Sequence, residues 1–170
     1  MALVTKTNPI GADKVVDRLQ KRLYDGLSWA SYESYSLAYK NADNDQLLPE
    51  IYIGGNDYQS VLFNDNFNAT SFFLMDDSIE ISEGLSKVKL MIFFQVKLDK
   101  LYLNINHRAT EECHNDVLKL LKNENVTSLK ITPKEVYEEM FQIDMNSDDM
   151  HPFHVFRIDL NISYPTCCNC

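Results

Sequence analysis

The apolar positions of this chain follow two periods, and the chain switches between them several times. Between residues 154 and 164, "HVFRIDLNISY" alternates without interruption. Phe156, Ile158, Leu160, Ile162 and Tyr164 fall on one side, and Val155, Arg157, Asp159, Asn161 and Ser163 on the other. A period of two predicts a strand with one buried face. Residues 87–98, "KVKLMIFFQVKL", predict the strongest strand. Val88, Leu90, Ile92, Phe94, Val96 and Leu98 make a wholly apolar face, opposite Lys87, Lys89, Met91, Phe93, Gln95 and Lys97. A slip of one residue would drive three lysines into the core, so the register is well specified. Met91 and Phe93 predict that the second face is partly covered.

Helical spacing appears in two places. In residues 11–25, Ala12, Val15, Val16, Leu19 and Leu23 form one apolar stripe, with Gly26 as a stop. In residues 107–122, Ala109, Cys113, Val117, Leu120 and Leu121 do the same; Glu111 and Glu112 come early and Lys119 and Lys122 late, as the helix dipole favours. A third, short helix is predicted over 132–141, where Thr132 would cap, Pro133 would take the first helical position and Glu135 would complete a capping box.

The remaining segments are shorter. Ile51 to Ile53 read as a strand ended by Gly54-Gly55, and "VTSLKI" as another. The aromatic-rich pieces "VLFNDNF" and "TSFFLMDD" both suit strands, and "DDSIEISEG" a turn leading into an extended piece. Residues 28–39, rich in Ser and Tyr, fit either an extended arm or a second short helix, and 40–46 an exposed loop. This order predicts an α+β fold: a mostly antiparallel sheet with helices packed on one face, plus a projecting aromatic-rich hairpin or arm near 56–75. Residues 1–170 are read as a single domain, with 28–46 and 56–75 as arm or loop insertions and 165–170 as a loose tail.

Composition narrows the function more than it defines it. The chain has 170 residues, 45% hydrophobic and 11% aromatic, enough for one core and too apolar for a disordered segment. Its formal charge of −9 disfavours binding to nucleic acid by phosphate neutralisation. "MALVTKTNPIGADK" lacks the apolar stretch of a signal peptide, and "LMIFF" is far short of the roughly 20 residues of a membrane span. A cytosolic site of synthesis, with reduced cysteines, is therefore expected.

Candidate chemistry is sparse. His151 and His154 together with Cys167 and Cys170 offer tetrahedral zinc ligands by type. A straight strand over 154–164 would hold the two pairs roughly 33 Å apart, so they do not share an ion within one subunit. Cys168 belongs to the same tail, for which no role is expected, and Cys113 reads as a buried core thiol. "DMNSDDMHPFHV" begins like a calcium loop, but Asp149 stands where Gly is needed and Val155 where Glu is needed. "NADNDQLLPEIY" fails at the same places, with Gln46 and Tyr52. His107 and His114 lie two helical turns apart, as a pair of surface histidines or a weak site. No nucleophile–base motif or phosphate loop is present. No catalytic residue, metal or cofactor is expected.

The order of elements resembles a known family. "KVVDRLQKRLYDGL" precedes "LPEIYIGG", "VKLMIFFQVKL" feeds "ATEECHNDVLKLLK", and "FHVFRIDLNISY" closes the chain. Over about residues 12–164 this resembles the tail-terminator (tail-completion) and neck-ring proteins of tailed bacteriophages. The resemblance implies a structural virion protein, made in the host bacterial cytoplasm and located in the neck between head connector and tail. It implies self-assembly into a six- or twelve-fold ring by head-to-tail contacts, with adjacent portal, connector or tail proteins as partners. DNA would pass the lumen without specific binding, and no membrane would be involved. The crowding of Phe63, Phe67, Phe72 and Phe73 within eleven residues suggests a subunit interface, or else a hairpin covering its own core. Two other classes stay open: a protein-binding adaptor domain and a small enzyme.

Overall fold

A computed structural model of the chain describes residues 2–43, 46–55, 57–104, 109–122, 124, 126–137 and 152–166. Its organising element is strand β8 (Leu85–Val96), with which β10 (His154–Pro165) pairs antiparallel over its whole length, from His154 opposite Val96 to Pro165 opposite Leu85. The other edge of β8 is shared. β6 (Ala69–Met75) takes the Leu90–Val96 half and β7 (Glu80–Ser82) the Leu85–Lys87 end, both antiparallel. Glu83 and Gly84 join β7 to β8 with φ of 52° and 76°, the two left-handed residues that a tight right-twisting hairpin requires.

Outward from β6 the sheet turns parallel. β2 (Tyr32–Leu37) pairs with β6, and β1 (Ala2–Val4) with β2. β9 (Thr127–Thr132) closes the opposite edge against β10. The seven-stranded sheet thus runs β1-β2-β6-β8-β10-β9, with β7 beside β8. β3 (Tyr39–Asp43), β4 (Gln46–Gly54) and β5 (Asp57–Ser60) form a separate three-stranded antiparallel sheet. The architecture is α+β, with a mostly antiparallel main sheet.

Both long helices, α1 (Ala12–Gly26) and α3 (Thr110–Leu121), cover one face. Val16, Leu19 and Leu23 of α1 and Cys113, Val117 and Leu121 of α3 pack onto Leu90, Ile92, Phe94, Phe156, Ile158 and Leu160. Gly26 lets the helices approach: a Cβ there would stand 2.5 Å from Leu120 Cδ2. Arg22 Nε donates to the Leu120 carbonyl at 2.7 Å, capping a backbone acceptor that α3 leaves open at its C-terminal end. Buried Gln20 donates to the carbonyls of Val4 and Ser34 at 2.9 and 2.8 Å, fastening β1 and β2 to α1. A short helix, α2 (Leu98–Leu101), follows β8.

The opposite face carries a second core of Tyr35, Ile51, Val61, Phe72, Leu74, Met91, Phe93, Val136, Tyr137, Phe153 and Val155. Its cover comes from the small sheet and from irregular chain. The Met91 and Phe93 side of β8 is therefore buried, as its apolar centre predicts.

Sequence expectations at four stretches need correction, the first being the loop expected at 40–46, where β3 runs to Asp43 and β4 starts at Gln46. Residues 28–39 are neither a projecting arm nor a helix, because β2 lies within the main sheet. Residues 57–75 do not form one projecting hairpin: 57–60 is a strand of the small sheet, 69–75 is a buried strand of the main sheet, and "VLFNDNF" forms irregular chain and turns. The helix at 132–141 is absent from its described part. Thr132 pairs with Arg157 in the sheet and gives its hydroxyl to Asp159 Oδ2 at 3.3 Å, and Glu135 has φ of 52°, so no capping box forms. Residues 138–141 lie outside the described residues.

Candidate functional site

The four phenylalanines expected at a subunit interface mostly serve this subunit's own interior. Phe72 and Phe73 are both 0% exposed and, as neighbours on β6, point into opposite cores. Phe72 stacks on Phe93 at 4.7 Å. Phe63 is half-buried and packs edge-on against Phe153 and Tyr137. Phe67 is half-buried in the turn before β6, its N–H bonded to the Asn64 carbonyl. For Phe72 and Phe73 the structure corrects the interface assignment: a side chain without accessible surface cannot meet a neighbouring copy.

Exposed aromatic surface lies instead on the small sheet. Alternation along β4 turns Ile51 into the second core and Tyr52 away from it. Tyr52 sits opposite Tyr58 of β5, and Tyr39 of β3 sits one pair further along the sheet, opposite Glu50. The rings of Tyr52 and Tyr58 meet edge-to-face at 5.4 Å, and those of Tyr39 and Tyr58 at 6.2 Å. All three are exposed, Tyr52 by 50%. Tyr39 and Tyr52 border a 520 Å³ cleft that Val4, Lys6, Asp13 and Leu37 also line. Lys6 and Asp13 form an ion pair there, and the Asp13 hydrogen bond raises the Lys6 pKa. Its two charged groups thus offset each other. The sequence did hold a signal for this face: Tyr52 and Tyr58 lie three residues on either side of Gly55, which a hairpin turning there would set opposite each other.

A second exposed apolar surface surrounds the β7–β8 hairpin, where Ile79, Ile81 and Leu85 stand out, Ile81 by 67%. Ile79 borders a 580 Å³ groove whose other walls are polar, including Lys87, Lys89, Asn161 and Ser163.

Two polar arrangements are embedded in the fold. On the second face of β10, Arg157 and Asp159 are 3% and 6% exposed. Arg157 Nε lies 2.9 Å from Asp159 Oδ1, and its Nη1 donates to the Val136 carbonyl at 3.1 Å. Lys89 stands 3.8 Å from the same carboxylate. Next to them, Gln95 Oε1 accepts from the Phe63 N–H at 2.7 Å and the Thr70 hydroxyl at 3.1 Å, while its Nε2 donates to the Tyr137 hydroxyl at 3.0 Å. Arg157, Asp159 and Gln95 are buried and bind chain segments, so they position those segments, while Lys89 also lines the groove beside Ile79.

The other arrangement pairs His114 of α3 with His154 at the start of β10, their Nε2 atoms 3.1 Å apart. Burial lowers the pKa of both, and the neighbouring His114 helps push His154 down to about 4. The sequence pairing of His107 with His114 falls partly outside the described residues, as does the His151/His154 and Cys167/Cys170 set. What the structure brings together is one histidine from each of those two pairs, forty positions apart, which no local spacing could signal. Cys113 is buried as expected, and desolvation pushes its thiol up to about 12. Among the described residues no group of three or more His, Cys, Asp or Glu side chains is placed to hold a metal. No described helix is long and apolar enough to cross a membrane.

Comparison with protein-family models, with curated proteins and with solved structures found no significant match to this chain.

Proposed function

We propose that this chain is a structural subunit of a tailed-phage neck, a tail-terminator or head–tail joining protein that closes into a ring with copies of itself. A ring built head-to-tail needs two different patches on each subunit, whereas a twofold dimer needs a single self-complementary one. The observation that carries the reading is that this subunit exposes two such patches. One is the tyrosine face of the small sheet beside its cleft; the other is the isoleucine rim of the β7–β8 hairpin. Exposed aromatic and aliphatic surface of this kind marks contact sites in preference to free surface. The element order and the acidic charge also agree with a subunit whose lumen lets DNA pass.

The test is a pair of complementary defects read by native mass spectrometry and negative-stain microscopy. The wild type should form a closed ring, alone or on its connector or tail partner. Tyr52→Ser/Tyr58→Ser should abolish closure, and so should Ile79→Asp/Ile81→Asp. Mixed together, the two variants retain one compatible contact and should give heterodimers that grow no further. A wild type that stays monomeric at high concentration and with candidate partners, and that is absent from assembled particles, overturns the proposal.

A further inference from the structure

We propose that His114 and His154 form a two-imidazole site for a divalent cation of the zinc class, tying α3 to the first residue of β10. This inference does not depend on the ring reading. Two imidazoles bound to one ion at about 2.0–2.1 Å place their nitrogens about 3.3 Å apart at the tetrahedral angle and about 2.9 Å at a right angle. The Nε2 atoms of His114 and His154 are 3.1 Å apart, inside that interval. The ring centroids are 5.2 Å apart, so the nitrogens face each other across the gap and the ring bodies lie behind them.

The fold holds this geometry without help from an ion. His114 follows Cys113, which is fully buried and anchors that turn of α3 in the helix-side core. His154 is pinned by its ladder position opposite Val96. The Phe156 ring backs both imidazoles, at 4.5 Å from His114 and 5.5 Å from His154. Both histidines keep part of their surface accessible, so an ion can enter from solvent.

The donor set of the pair suits a cation: each neutral imidazole offers one nitrogen lone pair. Two neutral rings at this distance share one N–H between two nitrogens. A bound ion takes the Nε2 lone pair of each, so the ring that carried its proton on Nε2 moves it to Nδ1. Imidazole nitrogen suits Zn²⁺, Cu²⁺ and Ni²⁺, whereas Mg²⁺ prefers oxygen, so Mg²⁺ should not compete. Glu111, one helical turn before His114 and already felt by it electrostatically, adds negative potential at the site. With two protein ligands, the other coordination positions would be filled by water, and affinity should be well below that of closed four-ligand sites.

The test uses the full chain carrying Cys167→Ser, Cys168→Ser and Cys170→Ser, which removes the tail thiols as competing ligands. Zinc chloride titrated by calorimetry should bind one ion per chain, and magnesium chloride should not bind. His114→Asn and His154→Asn should each weaken zinc binding at least tenfold. Copper(II) bound to the same protein should show hyperfine coupling to two imidazole nitrogens by electron paramagnetic resonance, reduced to at most one in either variant. Circular dichroism before titration identifies a variant that has not folded, and the copper spectrum of the histidine-intact protein then decides alone. Absence of zinc binding to the histidine-intact protein overturns the proposal. So does an affinity unchanged by the histidine substitutions, or a copper spectrum lacking a second imidazole.

Discussion

The two faces of the main sheet are built on different principles. Beneath α1 and α3 the contacts are mainly aliphatic and aromatic and follow the periods of the elements, with Gln20 and the Tyr32–Ser71–Ser34 hydroxyls as buried polar exceptions, so shape and burial largely hold that face together. On the other side the cover is a small sheet and irregular chain, and the interior includes Arg157, Asp159, Gln95 and the hydroxyl of Tyr137. Irregular chain carries backbone groups that no ladder satisfies, and buried side chains must satisfy them. Arg157 does so for the Val136 carbonyl and Gln95 for the Phe63 N–H. The difference teaches that polar groups are buried here because the segments above them lack secondary structure of their own.

The largest effect should come from the apolar face. Phe94 stacks on Phe156 at 4.8 Å and meets the edge of Trp29. Phe94→Ala should cost about 3–5 kcal/mol, the range for large-to-small changes in a packed core, measured by urea unfolding. Opening of the same face can be read without a core mutation. Because burial raises the Cys113 pKa, its thiol should resist alkylation at pH 8 in the folded chain lacking tail thiols, and react at the rate of a free cysteine in urea. Equal rates in both conditions would contradict the packing of α3 described above.

The polar face should respond in the opposite sense to single and double replacement. Asp159→Ala leaves Arg157 buried, with Lys89 nearby, and should cost about 3 kcal/mol or more. Arg157→Met with Asp159→Leu removes both charges and should restore most of that loss, because well-packed apolar groups commonly replace a buried ion pair at little cost. A double variant as unstable as the single one would mean that the Val136 contact of Arg157, and not charge pairing, is what the face requires. Gln95→Leu comes next. It removes the acceptor of the Phe63 N–H and the Thr70 hydroxyl at nearly constant volume, for about 1–3 kcal/mol.

The same contrast explains what could be read from the sequence. β8, β10, α1 and α3 were legible because burial on a regular element imposes a period on its side chains. β2 was not: Ser34 hydrogen-bonds Ser71, Glu33 accepts from Tyr35, and Tyr32 reaches Ser71, so its buried positions are polar and aromatic on both sides. At 132–135 a sound local helix signal lost to pairing of Thr132 with Arg157 and to its hydroxyl bond with Asp159. Crowding of the phenylalanines could not choose between an interface and the subunit's own core, because it says nothing of facing, and β6 sends Phe72 and Phe73 into separate cores. The histidine pair depends on segments forty positions apart meeting, which only the folded chain displays, and the Lys6–Asp13 pair, though seven residues apart, spans irregular chain with no period to signal it.

The smallest effect separates the small sheet from both faces. Tyr58 is exposed and its ring contacts are cross-strand and edge-to-face, an arrangement worth about 0.5–1 kcal/mol on a sheet surface. Among the described residues β5 pairs only with β4 and forms the outer edge of the three-stranded sheet. Tyr58→Ser should therefore cost about 0.5–1 kcal/mol, expressed locally. Amide exchange of β4 and β5 should accelerate severalfold, while that of β8 and β10, which opens only with the whole molecule, stays within error of the wild type. If β8 exchange accelerates by the same factor, the small sheet unfolds together with the core and must count as part of the second face. If only the local amides respond, this sheet is an appendage free to exchange its exposed tyrosine contacts for those of a neighbouring copy, at little expense to the subunit that carries it.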